Sequence, residues 1–186
     1  EYGLSKLTTE NLIREHHSQT AVALRYHNVY GSNESHKGNM ASIVSKYIDG
    51  FLNGSKSHIL FENSKRIKRD FIHVSDVNKM NILMLDFFTK HGKFPNYPPI
   101  FDIGTGYAVS FQELADEITK YTRLPIEYVK NPYNSQNYQF YTLANTRKIR
   151  NLYRMTYRES FKPMSIKEGV EMVFKEKAKV SEIVFQ

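Results

Sequence analysis

Cysteine is missing from all 186 residues. Disulfides and thiolate metal sites are therefore excluded, and a reducing, cytoplasmic location is the expectation. No apolar run approaches the ~20 residues a membrane helix needs, and no secretory leader opens the chain, so no membrane partner is expected. The seven histidines include no H-E-x-x-H or similar ligand spacing, and no metal site is expected. A G-x-S-x-G nucleophile elbow is also lacking, which leaves serine hydrolysis without support. There are no internal repeats and no low-complexity segments. What remains is 40% hydrophobic and 24% charged, the composition of an ordinary globular domain long enough for a real core.

The formal charge is +7 and the pI about 9.4, so a basic nucleic-acid-binding module has to be weighed. The basic residues are scattered, however. The densest cluster, Lys65-Arg66-Ile67-Lys68-Arg69, stands between two strand-like runs and suits either a solvated hairpin turn or a phosphate-bearing small substrate. No nucleic-acid partner is expected.

Periodicity predicts an α/β protein. Residues 2–17 read as a helix with Leu4, Leu7, Leu12 and Ile13 on its apolar face, and Thr20–Tyr26 reads as a strand. A polar loop runs through Asn39, and a helix from Met40 to Leu52 stops at Asn53-Gly54. Ser57–Phe61 and Arg69–Val74 read as strands. Ser75 caps a helix that ends near Gly92, Pro95–Pro99 is a linker, and Ile100–Ile103 is a short buried strand. Ser110 with Glu113, and Ser165 with Glu168, make capping boxes for two later helices. Between them lie strands at Ile126–Val129 and Gln139–Leu143 and a short helix at Asn145–Leu152, and the charged tail from Lys175 is expected to fray.

Two local motifs suggest chemistry. Gly104-Thr105-Gly106 follows a strand and precedes a capped helix, the setting of a phosphate-binding turn. Position 109 is Val, so the third glycine of a dinucleotide fingerprint is missing, and close backbone packing is the expected role. At the start stands Tyr2-Gly3-Leu4-Ser5-Lys6, a Tyr-x-x-x-Lys dyad. Residues four apart share a helix face. A lysine ammonium there favours the phenolate of a group that otherwise titrates near ~10. In a chain rich in tyrosine and lysine such a pairing also arises by chance, so its weight comes from its surroundings.

Those surroundings are ordered blocks: Tyr2–Lys6, then Leu24-Arg25-Tyr26-His27-Asn28-Val29-Tyr30-Gly31, then Lys68-Arg69-Asp70-Phe71-Ile72-His73-Val74-Ser75-Asp76-Val77, then Phe101-Asp102-Ile103-Gly104-Thr105-Gly106. The series resembles the extended short-chain dehydrogenase/reductase family, which acts on nucleotide sugars. His36-Lys37-Gly38-Asn39-Met40-Ala41-Ser42, Phe61-Glu62-Asn63-Ser64 and Tyr138-Gln139 resemble segments of the ADP-glyceromanno-heptose 6-epimerases within it.

The resemblance implies the C-terminal part of an NAD(P)-binding Rossmann-type fold plus the small α/β substrate-binding subdomain. Its expected divisions are 1–36 (catalytic helix and following strand), 37–75 (substrate subdomain), 76–110 (return to the Rossmann sheet) and 111–186 (substrate subdomain and last helix). It implies epimerisation at C6 of ADP-heptose for lipopolysaccharide core, with NADP rather than NAD as cofactor. Opposite faces of one carbon need two acid/bases, and by similarity these are Tyr2 and Lys37, the second requiring burial or neighbouring charge to reach a useful pKa. Lys6, Val29 and Lys37 are implied at the cofactor. Asn28, Asn39, Lys46, Phe61, Glu62, Asn63, Ser64, Arg69 and Tyr138 are implied at the substrate. Only one residue precedes the dyad, so the expectation is half of an enzyme, inactive and marginally stable alone, whose full-length form is a homo-oligomer. Another nucleotide-sugar 4-epimerase or dehydratase is the nearest alternative.

Overall fold

The computed structural model describes residues 1–16, 20–94, 99–133 and 138–184; the side chains of Tyr2, His16 and 180–184 lie outside the description. The order is α1 (Tyr2–His16), β1 (Ala23–Tyr26), β2 (Asn28–Tyr30), a 3-10 turn (Ser35–Met40), α2 (Ile43–Leu52), β3 (His58–Phe61), β4 (Lys68–His73), α3 (Val74–His91), β5 (Ile100–Ile103), β6 (Ala108–Ser110), α4 (Phe111–Thr122), β7 (Ile126–Val129), α5 (Arg147–Tyr157) and α6 (Ile166–Val184). The α/β expectation holds. β1 pairs in parallel with β5, β2 with β4, and β3 with β7, while β6 adds antiparallel to β4.

Two cores lie on opposite sides of the β2–β4–β6 sheet. One gathers α3, α5 and β5, with Met80, Leu83, Phe101 and Leu152 inside. The other gathers α2, α4 and α6, with Ile48, Ile118 and Val173 inside. Successive residues of a strand point to opposite faces, and β4 uses this directly. Ile72 enters the first core and Phe71 the second. On β2, Val29 packs against the first and Tyr30 lies in the second.

Several boundaries move for identifiable reasons. α2 begins after Ser42, whose hydroxyl accepts from the Ser45 N–H, and not at Met40. Met40 matches the helical period, but it is 86% exposed in the turn, beyond Gly38. α3 is capped by His73 rather than Ser75: the His73 ring nitrogen accepts from the Ser75 N–H. The cationic cluster is not a hairpin turn, because β3 and β4 find different partners. Gln139–Leu143 is no strand beyond a single bridge from Tyr141 to Lys68. The later helix is Arg147–Tyr157, longer than the pattern suggested. The tail does not fray at Lys175, since α6 runs to Val184 and buries Lys177. The 95–98 part of the linker and residue 17 lie outside the described residues.

The apolar face read for α1 is not a buried one among the described residues. Leu4 is 68% exposed, and Leu7 and Leu12 about half. By contrast α4, with both halves of its capping box in place, buries Leu114, Ala115 and Ile118 completely.

Candidate functional site

A cleft of about 600 Å³ opens where β2, the 3-10 turn, α2 and β3 meet. β2 supplies Asn28 and Val29. The turn supplies Lys37, the first turns of α2 supply Lys46, and β3 with the residues after it supplies Phe61 and Ser64. Tyr138 closes one side. The cleft thus joins residues spread over more than a hundred positions.

The turn that presents Lys37 is built around Glu34. Its carboxylate accepts from the N–H of Gly31 at 3.0 Å, from the N–H of Ser42 at 2.9 Å and from the Ser42 hydroxyl at 2.7 Å. The turn's entry and exit are thereby drawn onto one side chain. Burial opposes ionisation of Glu34, but the Ser42 and Gly31 donors and the Lys37 charge together outweigh it and hold the carboxyl below its ordinary value. Gly38 sits at φ +52° and ψ −123°, a conformation that costs little only for glycine. It lets the turn reverse between Lys37 and Ala41.

Lys37 lies 3.4 Å from Glu34 and its side chain is 46% exposed. The burial asked of a catalytic lysine is therefore not supplied by the described residues. Lys46 is likewise exposed, and it faces the cleft. Ser64 is buried, its hydroxyl donating to Gln112 Oε1 at 3.0 Å, an oxygen that also accepts from Tyr128 at 3.0 Å.

Arg69 does not line the cleft. Its guanidinium donates to the Lys68 carbonyl at 2.9 Å and to the Gln139 carbonyl, and it lies over the rings of Phe111 and Tyr138 at 5.9 and 5.8 Å. Burial pulls its pKa below the ordinary arginine value, with the Tyr138 charge acting the other way. Tyr138 stacks on Tyr133 with ring centroids 5.3 Å apart, and Tyr133 meets Phe61 edge-on. Arg69, Tyr138, Tyr133 and Phe61 thus form a continuous aromatic and cationic wall. The family resemblance points to Arg69, Tyr138 and Phe61 among these; no local motif marks the bridging Tyr133.

The remaining residues are dispersed. Asn39 is exposed on the turn and Glu62 is exposed after β3; neither lines the cleft. Asn63 accepts from Asn131 at 3.3 Å outside it. Lys6 is exposed on α1 and does not border the cleft. The Tyr2 side chain lies outside the described residues, so the spacing of Tyr2 and Lys37 is not part of the geometry.

The Gly104-Thr105-Gly106 turn has its own anion. Asp70 is fully buried, and its carboxylate accepts from the Thr105 N–H at 2.8 Å, the Thr105 hydroxyl at 2.7 Å, the Gly106 N–H at 2.9 Å and the Ala144 N–H at 3.2 Å. A Cβ at Gly104 would come within 2.5 Å of the Ala144 Cβ and 2.7 Å of Asp70 Oδ2. The expectation of close backbone packing is met, with the Asp70 carboxylate accepting the N–H bonds of the turn. Among the described residues no group of acidic or histidine side chains is arranged to hold a metal, and no helix is long and apolar enough to cross a membrane.

A family model described as NAD dependent epimerase/dehydratase family matches residues 1–104. Among solved structures, the Helicobacter pylori ADP-L-glycero-D-manno-heptose-6-epimerase is similar over 95% of this chain and 51% of its own, with TM-score 0.74 and 24% identity. The Thermotoga maritima UDP-glucose 4-epimerase with UDP-glucose is similar over 96% and 52%, with TM-score 0.71 and 23% identity. The Bacillus anthracis dTDP-glucose 4,6-dehydratase in complex with NAD is similar over 96% and 50%, with TM-score 0.68 and 16% identity. The chain spans about half the length of these structures.

Proposed function

This chain belongs to the NAD dependent epimerase/dehydratase family, and from that premise we propose that it forms the substrate-holding part of an NADP-dependent epimerase acting at C6 of ADP-D-glycero-D-manno-heptose. The observation that carries the reading is the cleft itself. Lys37 from the H-K-G block, Phe61 and Ser64 from the F-E-x-S stretch and Tyr138 from the Y-Q pair border one space, with Asn28 and Lys46 beside them. In this reading Phe61 and Tyr138 take the flat faces of the nucleotide, and Lys46 and the nearby Arg69 its diphosphate. Tyr2 and Lys37 serve the two faces of C6, each giving or taking the proton that accompanies a change at that carbon.

The fit of the described residues to the dinucleotide is partial. Val29 borders the cleft and can meet a nicotinamide ring. The Gly104–Gly106 turn cannot hold the dinucleotide's phosphates, because Asp70 already occupies its N–H groups. When bound, the cofactor supplies the redox chemistry at C6; the residues of this chain bind, orient and move protons. Full-length activity, self-association as a homo-oligomer and the choice of NADP over NAD belong to the same proposal.

Calorimetric titration of the chain tests it. ADP-heptose is expected to bind, and Phe61→Ala or Tyr138→Ala to weaken it about tenfold each, as loss of an aromatic stack would. In the whole enzyme Lys37→Met is expected to abolish C6 epimerisation. A chain that takes UDP-glucose and ignores ADP-heptose would establish the second reading, a hexose 4-epimerase. That reading draws on a fold similarity nearly as high as that to the heptose epimerase.

A further inference from the structure

Two neighbouring side chains of α6 reach back to the turn that carries Lys37, and we propose that Glu176 and Lys177 are positioning residues that hold this turn from outside the cleft. Lys177 is only 7% exposed although it carries a charge. Its ammonium donates to Asp49 Oδ1 at 2.7 Å and to Ser35 Oγ at 3.1 Å. The Ser35 hydroxyl donates in turn to Asp49 Oδ2 at 3.1 Å, and Ser45 donates to the same oxygen at 3.2 Å. Glu176 accepts from the hydroxyl of Ser32. Ser32 and Ser35 are thereby bound to one helix that follows them by more than 140 positions.

Stability alone does not account for this pair. α6 is already anchored by Val170 and Val173, both fully buried in the second core. A buried ion pair adds little to that, because desolvating the charges offsets their attraction; its better-attested use is to fix one arrangement among several. The turn needs such fixing. Glu34 secures its two ends from within, but the turn reverses at Gly38, away from ordinary helical geometry. Its outer side borders a cavity of about 1140 Å³ lined by Ser32, Ser35, His36, Asp49, Glu176 and Lys177. With so much open space there, the serine contacts to α6 are what resist outward rotation of the turn, and Lys37 would turn with it.

The importance of this hold for catalysis rests on the proposed role of Lys37, but the hold can be measured without substrate. The experiment is amide hydrogen exchange on the whole chain, comparing wild type with Ser35→Ala, Lys177→Met and Lys177→Arg. Ser35→Ala leaves the Lys177–Asp49 pair and the Ser32–Glu176 contact in place and cuts the Ser35 link alone. It is expected to speed exchange of amides 35–41 about tenfold, through loss of the Ser35 hydrogen bonds to Lys177 and Asp49, with β4 and α3 unchanged. Lys177→Met should do the same or more, and Lys177→Arg should restore most of the protection. Unchanged exchange in the turn of Ser35→Ala overturns the proposal, as does an equal rise throughout the molecule. If Lys177→Met does not fold, Ser35→Ala still decides. Failure of ADP-heptose to bind the wild-type chain would refute the catalytic reading and leave the exchange result standing.

Discussion

Two loops of this molecule leave the ends of parallel strands, and each is gathered onto a single carboxylate. After β5, the Gly104–Gly106 turn is collected by Asp70; after β2, the turn bearing Lys37 is collected by Glu34. The carboxylates differ in what surrounds them. The four donors to Asp70 are neutral and the group is fully buried. Glu34 sits at the rim of the cleft with a lysine beside it. The same device therefore makes a fixed structural joint in one place and a presented side chain in the other. The difference lies in whether charge and open space adjoin the carboxylate.

The largest expected effect breaks the first joint. Asp70→Asn turns an amide NH₂ toward N–H donors in a fully buried site. It should lower global stability by about 3 kcal/mol or more, read as a fall in the urea midpoint at unchanged slope. A loss under about 1 kcal/mol would mean that charge is not what holds this turn. Gly104→Ala drives a methyl into Ala144 and Asp70 and is expected to cost about 1–3 kcal/mol by overpacking.

Glu34→Gln should be milder, about 1–2 kcal/mol, and local. Hydrogen exchange should rise in residues 31–42 and stay unchanged in α3. If α3 responds equally, the two joints are alike after all.

Acid sharpens the contrast. The folded pKa of Glu34 lies below the ordinary 4.5. Its stabilisation is therefore fully present above 4.5 and disappears as pH falls through the lower folded value. Amide signals of 31–42 should broaden or shift in that window. The capping carboxylates Glu113 and Glu168 are also held low, mainly by their serine partners, so the loop-specific part is what Glu34→Gln removes. Burial holds the His73 pKa below 6.5, which adds an earlier loss: the unfolded chain protonates first, and stability declines as pH drops from 6.5 toward the folded value.

The smallest stability effect belongs to the residue with the largest proposed role. Lys37 makes a half-exposed pair, so Lys37→Met should change the urea midpoint by no more than the equivalent of about 0.5 kcal/mol. In the whole enzyme the same change is expected to abolish turnover. A large stability loss would make Lys37 a structural partner of Glu34 instead.

Much of this was legible locally. The capping boxes at Ser110–Glu113 and Ser165–Glu168 form as their spacing implies. The buried strand Ile100–Ile103 and the left-handed stop at Gly92 are where a reader would put them. Residues of the H-K-G and F-E-x-S segments do meet at one cleft. The misses share a cause. Met40 fits a helical period that Ser42 and Gly38 overrule. His73 displaces Ser75 as the cap because its ring nitrogen can accept from Ser75. Tyr133 and Lys177 carry no local mark, since their importance lies in partners distant along the chain.

Most of the helices and the buried strands followed from the chain's own pattern, because caps, turns and periodicity act between residues a few positions apart; the candidate acid/base and aromatic residues came from the family resemblance. Which carboxylate meets which turn, which apolar face is covered, and where a lysine is buried were decided only in three dimensions. Asp70 reaches Thr105 and Ala144, and Lys177 reaches Asp49 and Ser35, across separations of 35 to 142 positions. Hydrogen bonds of that kind depend on sheets and helices packing at close range, and a linear pattern contains no measure of that distance.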